Sequence, residues 1–543
     1  MFDFYLNITS LGEWLLVFFS LGSLLFLIKA FYNLFFHPLA HIPGPFWSRI
    51  SSFPSWYHAC RGDRHVWLWQ LFQIYGDRVR SGPDVVLFCD PQSYVDIYSM
   101  KSNVRRAPFY GALQKSRHET MTVATFDIAE HARRRKSLNP VLLNEKSIRA
   151  ASKFIIKHVE RWVQLMIEDD EIATEWSSPV NFSKRIESLT FDIIGDLNFG
   201  VSFDIKEKEE NPLKLAPFYM TQSLRFNYMM GRAPFFRFLH WMRPYGFDYL
   251  LELITPSAVQ KLNQFVYNSV SDRIALQKEQ AEKPETQRRQ DIFYFLYEAQ
   301  NPDTGRPTYD EAALRGESTQ LLVAGYDTTA TAICSIIFYL TGDPRRHQKL
   351  VDEILSTFES AEDIVYGPKL LECTYLRACI DEGMRLSPSL PSDLPREVLP
   401  GGLTIKGEYY PEGTIVGNVP WALTRNQEVY GDPEVFRPER WILDESTGVT
   451  QEAIAQAKSC FHPFLSGPGN CVGKNLAMAS ILITVARLLY HLDVRRVPGS
   501  TFGGGSPTMG WGARNENQLQ LNDMFGSGRE GPEVQVRKRA FIS

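Results

Sequence analysis

FHPFLSGPGNCVGKNLA, residues Phe461 to Ala477, sets a single cysteine, Cys471, among Gly467, Gly469 and Gly473, with an amphipathic helical pattern following it. Three glycines remove side chains that would block a close approach to the sulfur, and they let backbone N–H groups turn toward it. An iron-bound thiolate needs this arrangement. The N-terminal partial positive charge of the following helix, which starts near Cys471, favours thiolate over thiol, and Phe464 is placed to shield the sulfur from water. A buried structural cysteine is the competing reading, and the Gly-Pro-Gly setting with an aromatic seven residues upstream argues against it.

Upstream, LLVAGYDTTATA (Leu321 to Ala332) puts Ala324 and Gly325 one turn before Asp327, Thr328 and Thr329, an acid and hydroxyls inside an apolar stretch. Small residues at 324 and 325 let a flat macrocycle lie against the helix. Thr328 competes for a backbone carbonyl and is expected to open a local groove for water. Asp327, as a relay to solvent, and Thr328 would then deliver the protons that O–O cleavage requires. The helix is expected to open at Thr308, with Glu311 completing a capping box, and to end near Gly342; Asp343 and Pro344 start the next.

A second helix, Tyr375 to Leu386, carries Glu382 and Arg385 three residues apart on one face, a spacing that by itself means little. FRPERW (Phe436 to Trp441) supplies Arg440, which can fold back onto them as a buried three-member network. These residues are assigned to structure.

AGYDTT, EGMR, FRPERW and FLSGPGNCVG, in this order and at these separations, resemble the cytochrome P450 superfamily. The match covers everything after the N-terminal apolar segment. The resemblance implies a mainly helical fold, a helix-rich prism with a small β-sheet region, holding haem b (iron protoporphyrin IX) with Cys471 as the axial iron ligand. It implies Asp327 and Thr328 as the proton-delivery pair, and Glu382, Arg385 and Arg440 as the buried salt-bridge network. It assigns His131 and Arg135 (HARRR) and Arg396 (LPREV) to the haem propionates, where charge-assisted bonds to carboxylates make physical sense. A solvated basic face is the competing reading for His131 and Arg135. One position departs from the pattern: relatives usually carry Arg or His two residues before the cysteine, and here stands Gly469. His462 and Lys458 are the nearby candidates to replace it, and Gly469→Arg is expected to bind haem at least as well as wild type.

The chain has 543 residues, 44% hydrophobic and 22% charged, enough to bury a large core. A net charge of −4 without long basic runs excludes the electrostatic footprint of a nucleic-acid binder. Seven cysteines without CxxC spacing suit neither a disulfide framework nor a zinc site, and fit a reducing, cytosol-facing location.

At the N-terminus, WLLVFFSLGSLLFLI (Trp14 to Ile28) continues past Lys29 to Phe36, about the ~20 residues of a spanning helix. No Lys or Arg precedes the run and no small-x-small site closes it, so a retained anchor is expected rather than a cleaved signal. Residues 1–36 are read as the membrane anchor and 37–543 as the catalytic domain. HPLAHIPGP, the proline-rich hinge at 37–45, is read as an extended, rigid spacer. Lys29, Arg49, Arg61 and Arg64 place the N-terminus in the lumen and the domain in the cytosol. Anchor and hinge resemble the microsomal class, hence a single-pass protein of the endoplasmic reticulum membrane in contact with lipid. HPLAHIPGP and HARRRKSLNP look most like fungal enzymes of secondary metabolism.

Substrate contacts are expected from Arg105 to Phe126, Pro217 to Tyr245 and Pro388 to Leu394. Phe218, Tyr219, Phe226, Tyr228, Met229, Met230, Phe235, Phe236 and Trp241 are candidates for a lipophilic entrance to a hydrophobic small molecule. FGGG at Phe502 to Gly505 lacks the strand-turn-helix context of a dinucleotide site, so electrons come from outside. The resemblance implies NADPH-cytochrome P450 reductase, with cytochrome b5 as a further donor, docking near Arg133, Arg134, Lys458 and Lys474. The expected reaction is hydroxylation or epoxidation with dioxygen. The rival readings are a haem-thiolate isomerase or dehydratase that needs no reductase, and a non-catalytic haem-binding protein.

Overall fold

The computed structural model describes residues 11–540 apart from 115–118, 143–144, 169–174, 247–248, 250–252, 254, 256, 285–286 and 302–303. The first helix, α1 (Leu11–Phe35), contains a stretch, Trp14–Phe35, with a mean hydropathy of 2.1, long and apolar enough to cross a membrane. Its apolar side chains are largely exposed, as suits a helix whose solvent is lipid.

The proline-rich stretch after α1 is not the extended spacer its prolines suggest. It folds into turns, with Ala40 and Ile42 donating backbone bonds to His37 and Leu39, because Leu39 and Ile42 are buried. Arg49 donates to the carbonyls of Leu34 and Ala40, and Arg80 to that of Asn33, so the body of the protein caps the last turn of α1. Arg64, expected as a flanking surface charge, is buried in an ion pair with Asp393.

The helices that build the interior are α2 (Ile128–Leu142), α3 (Glu145–Leu165), α4 (Phe182–Phe199), α5 (Ala216–Arg232), α6 (Ser257–Gln280), α7 (Glu311–Gly342), α8 (Pro344–Thr357), α9 (Thr374–Leu386) and α10 (Lys474–His491). Helix α7 runs through the middle and packs against α4, α9 and α10. Its cap is Asp310, whose side chain accepts from the Ala313 amide. Thr308 does not cap it: the helix starts only at Glu311, and the Thr308 hydroxyl faces Ser137 Oγ at 3.4 Å instead. Asp343 does cap α8, accepting from the Arg346 amide.

A five-stranded sheet flanks the helices, with strands β1 (Arg78–Gly82), β2 (Val85–Phe88), β3 (Val104–Arg106), β4 (Arg396–Val398) and β5 (Ile415–Asn418) in the order β1-β2-β5-β4-β3. Its edge register decides the site: Arg105 stands opposite Glu397 and Arg106 opposite Arg396. Since successive side chains alternate faces, Arg105 pairs outward with Glu397 at 2.8 Å, while both Arg106 and Arg396 turn to the other face. Near the C-terminus, β6 (Leu492–Arg496) pairs with the last strand, while the short hairpin β7 (Asn522–Met524) and β8 (Gly526–Gly528) reaches back against α5 and α7.

The fully buried Glu382 of α9 takes five donors. Its Oε1 accepts from Arg385 Nη2 (2.9 Å), Arg440 Nε (3.0 Å) and the Arg437 amide (2.9 Å); its Oε2 accepts from Arg385 Nε (2.8 Å) and Trp441 Nε1 (2.9 Å). Arg385 also donates to the carbonyls of Thr424 and Pro433. The expected network thus fastens α9 to the irregular segment that leads to the cysteine loop. Burial alone would raise the pKa of Glu382, but Arg385 and Arg440 outweigh it and hold the carboxyl below its usual range.

Glu382→Ala would leave two guanidinium groups buried without a counter-charge, an expected cost of about 3 to 5 kcal/mol in urea unfolding. A depressed carboxylate stabilises the fold above its unfolded pKa. The wild type should therefore hold this contribution at neutral pH and lose it as the pH falls below about 4, a dependence missing from the variant.

Candidate functional site

A cavity of about 1520 Å³ is enclosed by the cysteine loop, α5, α6, α7 and the inner face of the sheet edge. Cys471, Phe464 and Gly473 enter it from the cysteine loop, Ala324, Gly325, Asp327 and Thr328 from α7, and Arg106, Arg135 and Arg396 from the sheet and α2.

The three loop glycines have three different reasons. Gly467 adopts φ +63°, a left-handed conformation, and a Cβ there would collide with the Tyr98 carbonyl. A Cβ on Gly473 would lie 3.9 Å from the Cys471 sulfur, and one on Gly469 would lie 2.6 Å from Arg396 Nη2. Only Gly473 therefore serves the approach to the sulfur. Gly325 likewise departs from expectation: its missing side chain makes room for Ile194 of α4, at 2.8 Å, whereas Ala324 is the small residue exposed to the cavity.

The Cys471 amide donates to the Phe464 carbonyl at 2.8 Å, which ties the loop closed, and α10 begins three residues on, at Lys474. Burial raises the thiol pKa, and the amides of Gly473 and Lys474 with the Arg135 guanidinium only partly pull it back. The helix terminus does not make a thiolate unaided; a bound metal ion would displace the proton.

At the sheet edge the cations gather. Arg106 donates to the Thr122 carbonyl, Arg135 to the side-chain oxygen of Asn470, and Arg396 to the Tyr110 hydroxyl and the carbonyls of Leu394 and Pro395. Among the described residues none of the three reaches a carboxylate. Burial, then Arg106, Arg135 and Arg396, push the His131 imidazole down to about 3, so it is neutral at physiological pH, and its buried Nε2 has no partner. Like charges directly opposite on a ladder are destabilising. Arg106 facing Arg396 with no ion-paired carboxylate, beside an orphaned imidazole nitrogen, therefore fits a group that brings carboxylates of its own. Arg106, Arg135 and Arg396 would hold the carboxylates of such a group, and the Cys471 sulfur would be free to bind a metal that it carried.

Arg106 was not foreseen. Its signal was the RR pair in VRRAP, where strand alternation sends one arginine out and one in. Neither proposed replacement for a side chain at 469 serves: Lys458 is exposed, and His462 stacks on Tyr94 (centroids 3.7 Å apart) with its pKa lowered by burial.

On α7, Thr328 Oγ1 donates to the Ala324 carbonyl at 2.7 Å, as expected, within a helix that runs unbroken from Glu311 to Gly342. Asp327 is not open to solvent. Its Oδ1 accepts from Arg529 Nη1 at 3.0 Å, and Arg529 Nη2 lies 3.4 Å from Glu187 Oε1 of α4, which in turn lies 3.8 Å from the exposed Lys184. Burial raises the pKa of both carboxyls, with Arg529 partly opposing it in each case. Arg529, which follows the hairpin strand β8, carried no recognisable sequence signal.

The apolar wall includes Phe218, Tyr219, Phe226, Met229, Met230 and Phe236, and Pro388 and Leu394 border it as expected. Tyr228 instead is buried against Asp523, its hydroxyl donating at 2.9 Å, and Phe235 and Trp241 are exposed outside. Part of the segment Arg105 to Phe126, at 115–118, lies outside the described residues. Of the four expected docking cations, Arg134 faces inward to Glu317 and Arg133 pairs with Glu130, leaving Lys458 and Lys474 exposed.

A family model described as Cytochrome P450 matches residues 43–509. The cytochrome P450 monooxygenase apf7 of Gibberella fujikuroi is 31% identical, over 98% of this chain and 99% of its own length. AKT7 of Alternaria alternata, of the same description, is 32% identical over 93% and 94%, and fscF of Fusarium equiseti 33% over 90% of each.

Arg529→Met would leave Asp327 and Glu187 buried without their cation, at an expected cost of about 3 to 5 kcal/mol. Their folded pKa values would then rise further above the unfolded ones, so the folded state would hold the extra protons. The variant should lose stability as pH rises from 6 to 8, whereas a loss equal at both values in thermal melts would count against the pairing.

Proposed function

This chain belongs to the cytochrome P450 family and is a monooxygenase that uses haem, a redox partner and a small-molecule substrate, and on that premise we propose that it oxidises a hydrophobic intermediate of fungal secondary metabolism at haem b held by Cys471. The observation that carries the reading is the convergence in one cavity of Cys471, the Asp327–Thr328 pair and the arginines Arg106, Arg135 and Arg396, none of which forms an ion pair with a described carboxylate. When bound, the haem supplies dioxygen activation, with one oxygen atom going to substrate and the other to water.

The remaining work falls to the side chains. Arg106, Arg135 and Arg396 hold the two carboxylates of the cofactor through charge-assisted bonds, and His131 adds a neutral one. Gly473 leaves the sulfur accessible, and Phe464 limits water around it. Thr328 rests its O–H on the Ala324 carbonyl and presents its oxygen to the cavity, and by turning that O–H off the carbonyl it acts as the last proton donor. Asp327 feeds it, and Arg529 keeps Asp327 in place while linking it through Glu187 to the surface at Lys184. The aromatic and methionine wall favours an apolar substrate by excluding water.

We place residues 1–36 as the anchor and 37–543 as the catalytic domain, with α1 crossing the endoplasmic reticulum membrane and the domain in the cytosol. The exposed Phe46, Trp47, Phe53, Phe238 and Trp241 support lipid contact beside the anchor. NADPH-cytochrome P450 reductase, and cytochrome b5 where present, dock at Lys458 and Lys474, both exposed and both near the half-buried Asp381.

The reduced, CO-bound difference spectrum tests the centre of this reading. A far red-shifted Soret band in wild type, absent from Cys471→Ala, is expected, and a band that survives the mutation would refute thiolate ligation. Lys458→Glu with Lys474→Glu should slow reduction by the flavoprotein, most at low salt, with the CO spectrum unchanged. Equal reduction rates would place docking elsewhere.

A further inference from the structure

The glycine at 469 is not required by the backbone. Unlike Gly467, it does not have a left-handed φ, so a side chain would be tolerated there but for one neighbour: the terminal Nη2 of Arg396, 2.6 Å from the place of a Cβ. The end of an arginine usually moves aside at little cost. This one is held, since Nη1 is fixed by three oxygens, the Tyr110 hydroxyl at 3.2 Å and the carbonyls of Leu394 and Pro395 at 3.3 and 3.1 Å. The guanidinium carbon also lies 5.2 and 5.9 Å from the ring centres of Tyr98 and Tyr110. With Nη1 occupied, Nη2 is left without an acceptor among the described residues and lies over Gly469 at the cavity. Across the ladder stands Arg106, turned to the same face.

We infer that positions 469 and 396 are one anchoring unit: the guanidinium of Arg396 occupies the volume of a side chain at 469 and, with Arg106 opposite, binds the haem carboxylate that a cation at 469 would otherwise bind. This rests on the haem reading above. It reverses the expectation that Gly469→Arg would hold haem at least as well. The substituted side chain would push Arg396 off its three acceptors and add a fourth guanidinium beside Arg106, Arg135 and Arg396. Arginine at 469 becomes useful only when the space is vacated. Arg396→Met removes both the charge and the Nη2 atom, and in that background Gly469→Arg should restore an anchor instead of displacing one.

The experiment measures haem transfer from the full-length, haem-loaded protein in lipid nanodiscs to excess apomyoglobin, for wild type, Gly469→Arg, Arg396→Met and the double variant. Each single variant should release haem faster, and the double variant should release it more slowly than either single one, a coupling of about 5-fold or more. Gly469→Ala, which adds only the Cβ, should fall between wild type and Gly469→Arg, and it keeps the test available if the larger side chain prevents folding. Retention by Gly469→Arg equal to wild type, or a double variant whose loss is the product of the single losses, would overturn the inference. Failure of the haem reading would show separately, as a wild type without the thiolate CO band.

Discussion

Glu382 is the group on which the positions of the others depend. Its two oxygens accept from two arginines, an indole and a backbone amide, and those donors come from α9 and from the irregular segment at 437–441. That segment holds only a single 3-10 turn, Pro438–Trp441, between longer loops. A buried carboxylate with every lone pair engaged supplies the fixation, because each missing donor would leave charge in a low-dielectric interior. From there the chain runs into the cysteine loop, whose closure by the Cys471–Phe464 backbone bond has a defined place to happen.

The second constraint is a deliberate imbalance of charge. The sheet register sets Arg106 against Arg396, α2 adds Arg135, and none of them forms an ion pair with a described carboxylate. His131 is kept neutral by burial and then by the same three cations. On its own this edge is unfavourable, and the thiol of Cys471 is pushed up by burial as well. Both costs would be relieved by the haem that the family implies: Arg106, Arg135 and Arg396 would hold its carboxylates, and Cys471 would exchange its proton for the metal. Cofactor binding is then also a source of stability.

On the other side of the cavity the charges are balanced, with consequences for proton traffic. Asp327 is shut off from bulk water and leans on Arg529, which a C-terminal hairpin delivers from two hundred residues downstream. Gly526 in that hairpin leaves no Cβ where the Asp327 carboxyl lies, so the close approach is built into the strand.

The sequence by itself determined the parts whose meaning is local. Spacing placed α7, α9 and the start of α8 to within a few residues, and a single cysteine among glycines, an acid and alcohol in an apolar helix, and a Glu and Arg one turn apart named the chemistry. The N-terminal run declared itself by length and apolarity. The proline-rich stretch misled because proline limits backbone angles without saying what Leu39 and Ile42 will bury. Tertiary structure alone decided which glycine serves which neighbour, since Gly325 answers to Ile194, Gly467 to Tyr98 and Gly469 to Arg396, contacts between segments far apart in the chain. It alone brought Arg529 to Asp327 and turned Arg106 inward while Arg134 went to Glu317. Short-range pattern encodes residue type and periodicity, whereas the partner of a charge or of an empty Cβ position is fixed only when distant strands and helices close on one another.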